Sequence, residues 1–195
     1  KLLFSHLDVF YYCFEVYVMD EFSLIDQFKP KSYRQNKLIK GIGDDAAIIR
    51  MGEGDTVVAI DTLVQDVHFT EKTLTPYQIG YRILAVNLSD LAAMGATPHF
   101  YLVSIVIPND LADETVLEIF AGMKLLADQY QIDLIGGDTV SGDKLTITIT
   151  IIGSVPKGKA RLRSDAQPGD VVFVTGTLGD ASAGLDLLLG NVEFL

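Results

Sequence analysis

The sequence predicts an α+β domain in which helices flank a sheet, followed by the opening elements of a second α/β unit. Three observations predict it. Two long segments repeat apolar residues at three- and four-residue spacings, the mark of helices with one buried face. Leu145 to Ile152 alternates Leu or Ile with Thr, the two-residue period of a strand between two different environments. After a Pro- and Gly-rich connection, Asp170 to Thr175 and Ala181 to Leu189 read as a new strand and a new helix. The 195 residues, 49% of them hydrophobic, suffice for one sizeable domain and part of another.

The elements follow in order. Residues 1–18 are rich in Leu, Phe, Tyr and Val, but His6, Asp8 and Glu15 interrupt the run before it could span a bilayer. The run lacks the basic cluster and small-residue cleavage site of a signal peptide. Met19 is a more natural start, so 1–18 is expected to be an appended extension and 19–155 the first domain. Phe22, Leu24, Ile25 and Phe28 fit a short amphipathic helix. Lys29 to Lys40 is basic and reads as an exposed loop. Ala46–Arg50 and Thr56–Ile60 read as strands joined by a hairpin loop at Met51–Asp55.

Thr75-Pro76 opens a helix to about Met94, with Ile79, Ile83, Leu84, Leu91 and Met94 on its buried face and Gly95 as its stop. Phe100–Ile107 is a buried strand ending at Pro108. Asn109 or Asp110 is expected to cap the next helix, whose stripe of Val116, Ile119, Phe120, Met123 and Leu126 runs on through Tyr130. Asp133-Leu134-Ile135 is a short strand leading into Gly136-Gly137-Asp138. Residues 156–195 are the connection and the second unit, which has barely begun at Leu195, as expected of a fragment.

Composition excludes some functions. A net charge of −11 opposes non-specific nucleic-acid binding, which needs a basic surface. A small phosphorylated ligand remains compatible, because bound magnesium reverses the local sign of an acidic cleft. A single cysteine, Cys13, leaves no intrachain disulfide framework and no thiolate cluster, so a cytoplasmic setting is the default expectation, with no membrane partner. Gly153 to Ala160 imitates a P-loop, but Ala160 stands where Ser or Thr should hold magnesium, and no helix follows to receive phosphate.

The candidate chemistry lies in four acidic stations flanked by small residues. They are Asp44-Asp45 after Gly41-Ile42-Gly43, Asp61 at the end of an apolar strand, Asp90 on the long helix three residues after Asn87, and Asp138 after two glycines. Adjacent acids in a turn are common, and alone each station is unconvincing. Together they match the oxygen ligation that magnesium prefers when it also binds substrate phosphates. His68 lies seven positions beyond Asp61; a lone histidine beside Phe69 is more often a partly buried structural residue. His6 and His99 lack even that context. No Ser/His/Asp or Cys/His nucleophilic set can be assembled, and no general base is assigned.

At these residues the sequence resembles the thiamine-monophosphate kinases, of the aminoimidazole-ribonucleotide-synthetase-like (PurM-like) superfamily. The resemblance runs from about Asp20 to the end. It rests on Glu21–Ile25, Gly41–Ala47, Asp61–Val64 with Val67–Phe69, Ala85–Ala96 and Gly136–Thr139, of which the Asp61–Phe69 and Asn87–Ala96 blocks are the most specific. It implies a PurM-like N-terminal domain with a mixed or antiparallel sheet that pairs with the sheet of a second subunit in a homodimer. It implies ATP-dependent phosphorylation of thiamine monophosphate to thiamine diphosphate. By the same resemblance Asp45, Asp61, Asp90 and Asp138 would hold several Mg2+ ions, with Asp44 next. His68 would touch the thiamine phosphate, and Gly137, Asp138 and Arg163 would lie against ATP. Other ATP-using synthetases of the superfamily, or a non-catalytic dimerising scaffold, are the alternatives.

Two departures stand out. Ala59-Ile60 precede Asp61 where the family often has a hydroxyl residue, and Asp66 replaces a residue that is usually small.

Overall fold

The computed structural model describes residues 20–43 and 46–191; the expectations for 1–18 and for Asp44 and Asp45 fall outside them. The chain forms α1 (Glu21–Phe28), β1 (Leu38–Lys40), β2 (Ile48–Ile49), β3 (Asp55–Val64), α2 (Pro76–Ala93), β4 (Thr97–Ile107), α3 (Asp113–Tyr130), β5 (Asp133–Ser141), β6 (Thr146–Val155) and α4 (Asp180–Leu189). A short 3₁₀ turn covers Arg163–Asp165. The main sheet has the order β3-β6-β4-β5, antiparallel except for the parallel pair β4 and β5. β1 and β2 make a separate antiparallel pair.

β6 shows why one face of this sheet is core. Ile147, Ile149 and Ile151 are fully buried, and the intervening threonines are half-buried on the other face. Their cross-strand partners Val103, Ile105 and Leu63 continue the apolar face. Ile83, Leu84, Leu91, Ile119 and Met123 of α2 and α3 cover it. α2 is set by its ends. The Thr75 hydroxyl accepts the Gln78 N–H, Gln78 Oε1 accepts the Thr75 N–H at 2.9 Å, and Pro76 occupies the first turn, where its missing N–H costs nothing. Gly95, at φ +69°, closes it, with Ala96 N–H returning to Leu91 O.

Several local expectations are corrected. Ala46–Arg50 and Thr56–Ile60 are not a hairpin: β2 pairs with β1, within the stretch expected to be a loop, and β3 pairs along its whole length with β6. Asn109 and Asp110 do not cap α3. They sit in a turn closed by Leu111 N–H on Pro108 O, and the helix starts at Asp113. β5 does not stop before the glycines but runs through them, because its ladder with β4 continues to Ser141. Gly137 is packed so tightly that a Cβ there would fall 2.0 Å from Val103 O. Gly153 lies inside β6, which removes the P-loop imitation. Asp170–Thr175 forms no strand: among the described residues nothing pairs with it, and Val172 and Phe173 are 94% and 87% exposed.

Candidate active site

The open face of the sheet carries a cleft of about 1070 Å³. Gly41, Ile42 and Gly43 line one wall, Gly136, Gly137 and Asp138 the other, and Thr148 and Thr150 the floor. Two glycine-flanked stretches more than ninety residues apart in sequence therefore face one another. That arrangement suits a ligand needing close approach to backbone N–H groups, as phosphate does. Lys29, which the charge run alone marks only as solvated, also lines the cleft. Its Nζ comes within 3.3 Å of where a Gly43 Cβ would stand.

The sheet register places the other acids. One row on the open face runs Thr62, Thr148, Ser104, Asp138 across all four strands. The adjacent row, Asp61, Ile149, Val103 and Gly137, points to the helices. Asp61 and Asp138 therefore stand on opposite edges and opposite faces, three strand spacings or roughly 14 Å apart. Asp61 is half-buried on the side covered by α2, and Asp90 is exposed near the C-terminal end of α2. Among the described residues no group of three or more Asp, Glu, His or Cys is close enough to hold a metal ion. Ala59 shares the Asp61 face, whereas Ile60 is 63% exposed and lines the cleft, so neither supplies a hydroxyl beside Asp61.

Any magnesium here would be held by these carboxylates singly or in pairs. Mg2+ bound with substrate phosphates takes one or two carboxylates and fills its remaining positions with phosphate and water oxygens, so an all-protein cage is unnecessary. A second observation agrees. Asn87 is fully buried, its Nδ2 donates to Ile83 O at 2.9 Å, and its Oδ1 has no partner among the described residues. A buried amide oxygen left unpaired costs about 1–3 kcal/mol, a cost that a donor such as a metal-bound water would remove.

His68 is exposed, and the fold fixes its tautomer. Nδ1 accepts the Val64 N–H at 3.1 Å, so the neutral ring carries its proton on Nε2, directed away from that bond. The Arg82 guanidinium holds the His68 carbonyl at 3.1 Å, a contact that nothing in the sequence spacing indicates. Asp66 occupies left-handed backbone at φ +65°, where Asp is tolerated better than most residues. Its N–H donates to Phe69 O, and Lys144 pairs with its carboxylate at 3.1 Å. Asp66 thus closes the turn in place of a smaller residue. Arg163 is exposed on the 3₁₀ turn. Arg161 is better anchored: its N–H donates to Met94 O and its stem packs on Gly95, bringing the basic connection to the end of α2 that carries Asp90.

The sequence also gave no sign of a Ser–His contact. His99 Nε2 lies 2.8 Å from Ser154 Oγ, but the same nitrogen meets Lys37 Nζ at 2.8 Å, and no carboxylate among the described residues orients the ring. This is a structural latch rather than a nucleophilic pair. Burial, and then the Lys37 charge, hold the His99 pKa below its usual value of 6.5. The unfolded chain therefore binds the extra proton first as pH falls. The latch stabilises fully above pH ~6.5 and is lost as pH drops from there through the folded pKa. Urea midpoints should fall between pH 7.5 and 5.5, and His99→Gln should flatten that dependence.

The family described as AIR synthase related protein, N-terminal domain, matches residues 43–155. Thiamine-monophosphate kinase of Bacillus subtilis is 50% identical over 173 residues, covering 88% of this chain and 53% of that protein. The crystal structure of thiamine-monophosphate kinase from Stenotrophomonas maltophilia superposes with a TM-score of 0.77 at 42% identity, over 88% of this chain and 54% of that one. AaThiL complexed with AMPPCP and TMP gives a TM-score of 0.67 at 33% identity, over 92% and 57%. The chain thus spans about half the length of the relatives it matches. The chain therefore belongs to the AIR synthase related protein family and carries that family's N-terminal domain over residues 43–155.

Proposed function

We propose that this chain is the N-terminal half of a thiamine-monophosphate kinase, with residues 19–155 as the substrate- and metal-binding domain and 156–195 as the connection to a second domain. The observation that carries the proposal is the cleft between Gly41–Gly43 and Gly136–Asp138. The names of the relatives supply the substrates, thiamine monophosphate and ATP.

In this reading Gly137, Asp138 and Arg163 contact ATP. Asp45, Asp61, Asp90 and Asp138, with Asp44, hold Mg2+. Bound magnesium would screen the repulsion between two polyanions and favour an in-line geometry. The chain's own groups do the rest. Backbone N–H groups of the glycine walls receive phosphate oxygens, Lys29 adds a positive charge at the rim, and His68 Nε2–H donates to the thiamine phosphate. The acceptor phosphate oxygen is already ionised near neutral pH, so no general base is required.

A homodimer is part of the proposal. Val58, outside the cleft lining, is 59% exposed on the open face, apolar surface of the kind that a second copy would cover. No helix among the described residues is long and apolar enough to cross a membrane, and a cytoplasmic enzyme fits this reading.

The test is chromatographic detection of thiamine diphosphate formed from thiamine monophosphate, ATP and magnesium by the full-length protein. Product that disappears with EDTA is the expected result. A folded dimer that forms none would replace the kinase with another synthetase of the superfamily or a scaffold.

A further inference from the structure

The wall formed by Gly41–Gly43 belongs to a segment with little regular structure of its own, so something must hold it at the right distance from β5. Two sets of contacts do so. The Tyr33 hydroxyl oxygen accepts the Ile42 N–H at 2.8 Å. The Tyr33 ring lies directly over Gly41, where any Cβ would fall 2.3 Å from ring atoms. The next two residues are fixed by a buried carboxylate. Arg34 N–H and Gln35 N–H both donate to Asp133 Oδ2, at 2.7 and 2.8 Å, and Asp133 is only 2% exposed. Gln35 Nε2 adds a bond to Gln131 O at 2.8 Å, and the Arg34 guanidinium pairs with Asp128.

Asp133 is the first residue of β5, the strand that carries Gly137 and Asp138 on the facing wall. Both walls of the cleft are therefore referenced to one strand. Gly137 and Asp138 belong to it, and Gly41–Gly43 reach it through Tyr33 and the Asp133 bracket. We propose that Tyr33 is a positioning residue that sets the width of the phosphate cleft by tying the Gly41–Gly43 segment to β5. This rests on the reading of that loop as a phosphate and magnesium site. Tyr33 touches no reacting atom in this scheme; it acts through Ile42.

Tyr33→Phe keeps the ring over Gly41 and removes only the acceptor. Gly41→Ala leaves the hydroxyl but pushes the ring away. In the 195-residue chain without nucleotide, hydrogen exchange of the Ile42 amide should quicken roughly 3- to 10-fold in Tyr33→Phe, the worth of one hydrogen bond. Exchange in β4 and β6 and the melting temperature should stay unchanged. In the full-length protein KM for ATP should rise by a similar factor, with kcat changed less. The double variant should be no worse than the more affected single variant, because both substitutions break one contact.

Wild-type exchange at Ile42 in Tyr33→Phe would overturn the proposal. So would quickening spread over the whole sheet with a lower melting temperature, which marks a merely structural tyrosine. If exchange responds as expected but the wild-type full-length protein forms no thiamine diphosphate, the kinase reading fails while Tyr33's hold on the loop stands.

Discussion

Asp90→Asn in the full-length protein should lower kcat by about a hundredfold or more under the proposed role of Asp90 as a magnesium ligand, the scale of several kcal/mol of charge stabilisation that such a ligand contributes in phosphoryl transfer. The substitution preserves shape and removes one negative charge. The fold should not notice. Asp90 is exposed in the last turn of α2, outside the stripe of Ile79, Ile83, Leu84, Leu88 and Leu91 that packs on the sheet. Exposed substitutions of this kind change stability by only about 0.5 kcal/mol either way. Asp110→Asn, in the exposed turn after β4, is the control for loss of a charge as such and should turn over normally. Steady-state kinetics over a magnesium titration, beside urea unfolding of each variant, separates the effects. Near-normal turnover in Asp90→Asn would remove Asp90 from the site and leave Asn87, with its unpaired Oδ1, as an unexplained polar group in the core.

The elements that were legible in the sequence owe their form to local rules. Thr75, Pro76, Gln78 and Gly95 write both ends of α2 within one stretch, and the Ile/Thr alternation of β6 declares its two faces without reference to any partner. What was not legible depends on residues far apart in sequence. Whether Thr56–Ile60 pairs with its neighbour Ala46–Arg50 or with β6, some ninety residues on, is decided by the closing of the whole sheet, and nothing local records it. The Asp133 bracket links residues 98 and 99 positions apart through a carboxylate that reads as an ordinary strand start. The acidic stations follow the same division. Each was visible as a carboxylate among small residues, but the opposite faces taken by Asp61 and Asp138 follow from strand register, which composition does not carry.

Gly80→Val should cost the domain several kcal/mol and, against a typical total of about 5–15 kcal/mol, leave it largely unfolded at 37 °C. α2 and α3 cross backbone to backbone. A Cβ on Gly80 would fall 1.8 Å from Ile119 O, and one on Gly122 would fall 2.0 Å from Tyr77 O. The obstacles are main-chain carbonyls held inside helices, so relief requires the whole helix pair to separate, and Ile83, Leu84 and Met123, now fully buried, would lose their packing. Even Gly80→Ala, which gains about 1 kcal/mol of helix propensity, should lose more than that to the clash. Gly184 in α4 provides the opposite case. It has nothing within 4 Å, so Gly184→Ala should be neutral or stabilising by up to about 1 kcal/mol. The urea midpoint should therefore fall in Gly80→Ala and hold or rise in Gly184→Ala. A shift of the same sign in both would mean that α2 and α3 do not meet through their glycines, and that Asn87 and Asp90 are presented by a looser helix pair than the one described.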